Sequence, residues 1–105
     1  MERSHGTPRP MHLLIVEYTG TEQAAEPYFR DHAAYLDRHH RAGTFLVSGQ
    51  TVPTELGGAI VAHGVDRAEI ERITSEDPFV QAGVATYRIV TIAPGRSHPV
   101  LKPLL

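Results

Sequence analysis

Residues 29–49, FRDHAAYLDRHHRAGTFLVSG, decide the fold because they predict a helix that leads directly into a strand. The helix ends at Gly43, which suits a left-handed C-terminal cap, and Thr44–Thr51 predict the strand. At about 3.6 residues per turn, His32 falls at the edge of the apolar stripe of the helix. There the imidazole loses part of its water, which makes it the best indication of chemistry in the chain. The residues that share or flank this stripe are Tyr28, Phe29, Ala33, Tyr35, Leu36, His39 and His40.

The rest of the chain predicts one further helix and three further strands. The order β-α-β-β-α-β is typical of the ferredoxin-like α+β fold, a four-stranded antiparallel sheet with two helices on one face. Pro27 either begins the first helix or divides it from a short piece capped by Thr21. Asp66 followed by Glu69 predicts the start of the second helix, and Pro78 ends it. The predicted strands are His12–Tyr18, Thr44–Thr51, Ala59–Val65 and Ala85–Ala93, the helices are Pro27–Ala42 and Arg67–Thr74, and residues 79–83 are a turn or helical piece.

The first strand predicts a second apolar surface on the sheet. Residues 13–16 are four consecutive aliphatics, so both faces of this strand are apolar. In the last strand, Val90 and Ile92 point away from the face that carries Ile89. Because two helices cover only one face of such a sheet, the other face needs a partner. A second copy packed sheet to sheet is the simplest candidate, so we expect a homodimer.

The ends of the chain differ from its body. Residues 1–10 contain two prolines and a glycine without periodicity, and we expect a disordered N-terminal extension. The domain is expected to span residues 11–95. Residues 96–105 predict a C-terminal tail without a regular period, whose apolar side chains could dock on a partner subunit.

Composition argues against several kinds of partner. The 105 residues suffice for one domain, in which residues 11–95 carry six basic and eleven acidic side chains. An acidic body argues against nucleic acid as a partner. No apolar run reaches the roughly 20 residues of a membrane span, so we expect no membrane partner. The absence of cysteine excludes thiolate chemistry and fits a cytoplasmic protein.

The histidines do not follow a spacing that is typical of a metal site. His39 and His40 are adjacent on the predicted helix, so they point about 100° apart. His32 lies two turns before them, farther than the four residues that let two histidines of one helix chelate zinc. His12 and His63 lie near strand ends, and the sequence leaves open whether they meet. We therefore expect no metal and no other cofactor.

Several short motifs together resemble a known family. They are His32, Gly43, Leu46–Gly49, Asp77-Pro78-Phe79-Val80 and Ala82-Gly83-Val84. With this spacing, the chain is similar to the YciI-like (YCII-related) family of the dimeric α+β barrel superfamily over about residues 11–94. The resemblance implies a small homodimer. Some relatives act on halogenated hydroxylated aromatics, and the wider superfamily includes lactone isomerases and small monooxygenases.

The resemblance also implies a histidine–aspartate pair as the active site, here His32 and Asp77. A carboxylate that is hydrogen-bonded to one imidazole nitrogen fixes the tautomer and makes the other nitrogen a better base. The positions of the two residues alone leave structural alternatives open. His32 could be a core histidine that is hydrogen-bonded to a backbone carbonyl, and Asp77 could form a turn or end the helix before Pro78. The candidate ligand-binding residues around the pair are Ser48, Tyr35, His39 and Phe79.

Two functions from different classes follow. The first is a cofactor-independent lyase or isomerase, in which His32 moves a proton on a small enolisable or hydroxylated aromatic molecule and Asp77 orients the ring. The second is a non-catalytic dimeric module that binds a small metabolite and in which His32 is structural. A solvent-open cavity at the His32–Asp77 pair would favour the first.

Overall fold

The structure is a computed structural model that describes residues 9–54 and 57–105. Most of the predicted N-terminal extension, residues 1–8, lies outside these ranges. The predicted order of helices and strands is confirmed. The elements are β1 (Met11–Tyr18), α1 (Glu22–Ala25), a 3-10 turn (Glu26–Tyr28), α2 (Phe29–Arg41), β2 (Phe45–Gln50), β3 (Gly58–His63), α3 (Arg67–Ser75), α4 (Pro78–Gln81), β4 (Ala85–Ile92) and a C-terminal 3-10 helix (Pro99–Leu104).

The four strands form one antiparallel sheet in the order β2-β3-β1-β4. The apolar β1 lies inside the sheet, where it pairs with β3 on one side and with β4 on the other. This is the arrangement of the ferredoxin-like fold, as the element order predicts. Leu14 and Val16 are buried on the face that the helices cover, whereas Leu13 points to the other face and is 38% exposed.

The hydrophobic core lies between the helices and the covered face of the sheet. Tyr35 is the only buried side chain that α2 contributes. Ile70 and Ile73 come from α3, and Phe79 comes from α4. The apolar stripe predicted for α2 does not pack against the core along its whole length. Instead, His32 and its neighbours Phe29 and Leu36 border a cavity. The remaining core residues are Leu14, Val16, Ala25, Phe45, Ile60, Ala62 and Ala85.

The first helical region is divided at Pro27, so a continuous helix Pro27–Ala42 is wrong at its start. Thr21 caps the single turn α1 by accepting a hydrogen bond from the Ala24 N–H at 3.2 Å. Pro27 has no N–H to donate and lies in the 3-10 turn, so the long helix begins at Phe29. At the other end, Gly43 adopts φ of 85° and forms the predicted left-handed cap.

The C-terminal tail contains more regular structure than its sequence predicts. Pro99–Leu104 form a 3-10 helix. The ring of His63 in β3 anchors it: Nδ1 lies 2.8 Å from the Leu104 carbonyl oxygen, and Nε2 lies 2.9 Å from that of Gly43. The tail thus contacts its own domain, and its docking on a partner subunit stays a prediction.

The helices in the described residues are shorter than a membrane span. With 13 residues, α2 is the longest helix in the described ranges and spans about 20 Å. The hydrocarbon core of a bilayer is about 30 Å thick. In residues 9–54 and 57–105, no helix has both the length and the apolar character of a membrane span. A cytoplasmic location stays a prediction.

We expect Gly57→Ala to destabilise the domain strongly. Gly57 has φ of 104°, and a Cβ atom built there would overlap the carbonyl oxygen of Val16 in β1. Strain and overlap together should lower the free energy of unfolding by about 2 kcal/mol or more, measured by urea denaturation. Gly20→Ala is the control, because a Cβ atom there meets no atom within 4 Å. Equal unfolding midpoints for the two variants would contradict this account.

Candidate active site

A buried carboxylate organises the space between α2, α4 and the sheet. Asp77 directly precedes α4 and is fully buried. Its Oδ1 accepts the Phe79 N–H at 2.8 Å, which caps the helix, and lies 2.9 Å from Nδ1 of His32. Its Oδ2 accepts the hydroxyl hydrogen of Tyr87 at 2.5 Å. Three donors therefore compensate a negative charge that would be costly to bury alone.

The ring of His32 is fixed in orientation between this carboxylate and an aromatic side chain. Its centroid lies 3.9 Å from that of Phe79, and the two planes differ by only 4°. Because a carboxylate only accepts hydrogen bonds, Nδ1–H donates to Asp77, and in the neutral ring Nε2 keeps a free lone pair. Within the described part of the chain, Nε2 makes no hydrogen bond, and the side chain is 17% exposed. This nitrogen is available to a ligand.

Two tyrosines next to the carboxylate remain neutral phenols. Burial raises the pKa of Tyr87 far above its ordinary value, and the negative charge of Asp77 raises it further. The same two causes raise the pKa of Tyr35. Tyr35 donates its hydroxyl hydrogen to the Ile73 carbonyl oxygen at 2.7 Å. Tyr87 is thus a permanent donor to Asp77 and holds the second carboxylate oxygen in place.

A cavity of about 290 Å³ opens beside His32, a size that suits a small molecule. Asp77 does not line it but lies behind the histidine, so the pair presents only the imidazole to a ligand. The polar side chains in the lining belong to Tyr18, Ser48, Gln50 and His32. The other lining residues are Val16, Phe29, Leu36, Gly49, Gly57, Gly58, Ala59, Ile60 and Phe79.

Two of the predicted ligand-binding residues, Ser48 and Phe79, line this cavity, and the other two do not. Tyr35 is fully buried. The ring of His39 packs against Tyr35 and Phe45, with centroid distances of 4.8 and 5.0 Å. Its Nε2 is buried without a hydrogen-bond partner in the described ranges. These two side chains form a packing layer on α2 outside the cavity lining, because they flank the stripe that carries His32 instead of lying on it.

Ser48 reaches the cavity because of an irregularity in β2. Phe45 pairs with Ala62 and Val47 pairs with Val61, so Leu46 is an additional residue in the strand. A regular strand would place Ser48 on the face opposite to Phe45. The bulge moves it to the helix-covered face, where Oγ lies 2.8 Å from Nε2 of His40.

Four polar residues of the site are absent from the sequence-based prediction: Tyr87 and His40, which contact Asp77 and Ser48, and Tyr18 and Gln50, which line the cavity. The alternation of Tyr87 with Arg88 places Tyr87 on the face that the helices cover, but it does not show that the hydroxyl reaches Asp77. Of the two adjacent histidines, His39 is the predicted ligand contact, but His40, which shares the helix stripe of His32, is the one that contacts Ser48. For Tyr87 and His40, the sequence indicates which face of the strand or helix carries the side chain. It does not show which group that side chain contacts.

A metal site finds no support in the described residues. In residues 9–54 and 57–105, no three His, Asp or Glu side chains are arranged to hold a metal ion. His12 and His63 belong to neighbouring strands but point to opposite faces, because His63 pairs with Met11. His12 is fully buried, and its ring nitrogens lie 2.9 Å from the Val65 carbonyl oxygen and 3.0 Å from Thr91 Oγ1.

Fold and site together define a ferredoxin-like α+β domain with a histidine–aspartate pair beside a small, largely apolar cavity. The family model of the YCII-related domain matches residues 10–93, and the chain belongs to this family. The resemblance seen in the sequence motifs is thereby confirmed. No curated protein matches the chain.

The packing of His39 predicts a dependence of stability on pH. Burial lowers the pKa of His39 below its ordinary value of 6.5, and the positive charge of Arg38 lowers it further. As the pH falls below 6.5, the unfolded chain therefore binds the proton before the folded chain does. The contribution of His39 to stability is complete above that pH and is lost as the pH falls through the lowered pKa of the folded state.

We therefore expect His39→Gln, which cannot ionise, to reduce the loss of unfolding free energy between pH 7.5 and pH 5. Urea denaturation of both proteins over this range measures the difference. The comparison at pH 7.5 gives the cost of the substitution itself. Parallel pH profiles of the variant and the wild type would contradict the prediction, as would a His39 ring titration by NMR with a midpoint above 6.5.

Proposed function

We propose that the protein is a cofactor-independent enzyme of the lyase or isomerase type, in which His32 transfers a proton on a small molecule. One observation carries this proposal: Nδ1 of His32 is fixed to Asp77, Nε2 has no hydrogen-bond partner in the described residues, and the side chain lines the cavity. Nε2 takes a proton from the substrate and returns it at another position. Asp77 holds the tautomer and stabilises the imidazolium that forms between the two transfers.

The cavity limits the class of substrate. Its volume of about 290 Å³ and its largely apolar walls suit a single ring or a short chain. The Phe79 ring stacked on His32 fixes the plane of the imidazole that lines the cavity. An enolisable ring compound or a hydroxylated aromatic meets these conditions.

We expect the wild-type protein to accelerate exchange of α-hydrogens for deuterium in small ketones, followed by proton NMR in D₂O. The probes are cyclohexanone, 3-cyclohexen-1-one and acetophenone. His32→Gln should lower the enzymatic rate about 100-fold or more, since a general base typically contributes at least that factor. Asp77→Asn should lower it less, because the amide oxygen can still accept the Nδ1–H bond.

His98→Gln is the matched control, because His98 is exposed in the C-terminal tail, where its side chain caps the 3-10 helix. This variant should keep the wild-type rate. An exchange rate that His32→Gln leaves unchanged would contradict the role of His32. Binding of the ketones without accelerated exchange would favour the alternative, a dimeric binding module with a structural histidine.

A homodimer is part of the same proposal, supported by the face of the sheet that the helices leave open. Val47, Val61, Leu13 and Val90 pair in register and form one apolar row across all four strands. Val47 is 58% exposed and Val90 is 42% exposed. A contiguous apolar row of this kind is typical of a surface that a partner covers, and a second copy offers the same row.

We expect Val90→Glu to shift the protein from dimer to monomer, because a charge placed in this apolar row loses its water when a partner covers the row. Sedimentation velocity at micromolar concentration measures the mass. Ala34→Glu is the control, since Ala34 is exposed on α2 on the other side of the domain. A monomeric wild-type protein, or a variant that remains dimeric, would contradict the proposed interface.

A further inference from the structure

A second hydrogen-bonded pair borders the cavity of His32. The bulge in β2 turns Ser48 into the lining, and its Oγ lies 2.8 Å from Nε2 of His40. His40 follows His32 by eight residues on the same stripe of α2, so their Cα atoms are about 12 Å apart along the helix axis, whereas Ser48 comes from β2 and lines the same cavity as His32. The cavity therefore has two polar positions, each backed by its own partner: Asp77 behind His32, and His40 behind Ser48.

The lining favours a ligand oxygen that accepts hydrogen bonds. Tyr18, Ser48 and Gln50 each carry a hydrogen that they can donate. None of the lining residues in the described part of the chain is Asp or Glu, and none is Lys or Arg. The wall thus has no fixed positive charge of the kind that binds phosphate or sulfate groups. A neutral carbonyl compound suits it better than a permanent anion.

The pair can provide a donor at the moment when charge develops on the ligand. When Nε2 of His40 carries a hydrogen, it donates to Oγ of Ser48, and the hydroxyl hydrogen of Ser48 is free to point to a ligand. The two hydrogen bonds then run in one direction, and each polarises the next. A donor fixed in this way is worth most where an oxygen becomes negative in the transition state.

We propose that Ser48, held by His40, is the oxyanion donor of this site and that the substrate is a small neutral carbonyl compound with an acidic C–H next to the carbonyl. The inference rests on the proposed function of His32. Nε2 of His32 takes the proton from the α-carbon, and the electron pair of that C–H bond forms a carbon–carbon double bond. The π pair of the carbonyl moves to its oxygen, and the Ser48 hydroxyl donates a hydrogen bond to the resulting enolate.

The proton then returns from His32 to carbon, at the original position or at a conjugated one. In the second case the product is an isomer of the substrate. No electron acceptor and no leaving group takes part, so the step balances with the two histidines and the serine alone. This assigns Ser48 a direct contact with the reacting oxygen, and it assigns His40 a positioning role.

Phenols test the oxyanion site without turnover, because a phenolic oxygen on a ring resembles an enolate. The probes are phenol, 4-chlorophenol and 4-nitrophenol, whose oxygens carry increasing negative charge at neutral pH, with toluene as the ring without oxygen. NMR titration of the protein measures each dissociation constant. The wild-type protein should bind 4-nitrophenol more tightly than phenol, and phenol more tightly than toluene.

Ser48→Ala should weaken 4-nitrophenol binding about tenfold and leave toluene binding unchanged, since it removes one hydrogen bond to a charged oxygen. His40→Phe should act in the same direction. Ser48→Thr keeps the hydroxyl and should bind the phenols nearly as tightly as the wild type. Ser75→Ala is the control, because Ser75 is exposed on α3 and bonds the Arg72 carbonyl oxygen.

Equal affinity of the wild type and Ser48→Ala for 4-nitrophenol would overturn the inference, as would a wild-type protein that binds none of the phenols. The ketone exchange assay separates this failure from failure of the proposed function. If exchange depends on His32 but not on Ser48, the proposed function stands and the oxyanion site does not. If phenols bind through Ser48 but His32 catalyses no exchange, the polar site stands as a binding site.

Discussion

The hydrogen bonds to the buried carboxylate of Asp77 are the interaction on which the rest of the site depends. Three elements supply its donors: α2 through His32, α4 through the Phe79 N–H, and β4 through Tyr87. A buried carboxylate that loses one donor becomes expensive, so the three elements are held in one mutual arrangement. The same constraint that orders the packing also fixes the imidazole, and structural and chemical roles coincide in this one side chain. Asp77 is both the helix stop that its position before Pro78 predicts and the partner of His32.

The two sides of the long helix α2 differ in role: one side packs against the core, and the other carries His32 and His40. Tyr35 is buried between the helices, and His39 packs against it and against Phe45. On the neighbouring side of the helix, His32 lines the cavity and is bound to Asp77, while His40 lies behind the cavity-lining Ser48 and is hydrogen-bonded to it. Apolar packing on one side gives the helix a fixed position, and this lets the other side hold two imidazoles at a defined distance. A rigid helix is well suited to this task, because groups on helices and strands are positioned more reproducibly than groups on loops.

Much of the fold follows from local patterns. The caps at Thr21, Asp66 and Gly43 are each recognisable within a few residues of sequence, and each is present. The alternation in β4 and the four aliphatics of β1 predict a sheet whose second face, away from the helices, is also apolar. Pro27 shows the limit of this reasoning. The sequence left open whether it begins or divides the helix, and the 3-10 turn around it resolves the question.

The sequence by itself determined the element order, the family and the positions of His32 and Asp77, because periodicity, capping and motif spacing are properties of neighbouring residues. Tertiary structure alone decided which atoms meet. The bond between His32 and Asp77 joins residues 45 positions apart, and Tyr87 reaches the same carboxylate from a third element. The face of Ser48 was decided by a bulge of one residue, which shifts side-chain alternation and which the pairing with β3 reveals. Strand register, cavity volume and the buried partner of each imidazole arise from packing between distant segments, and no local pattern encodes them.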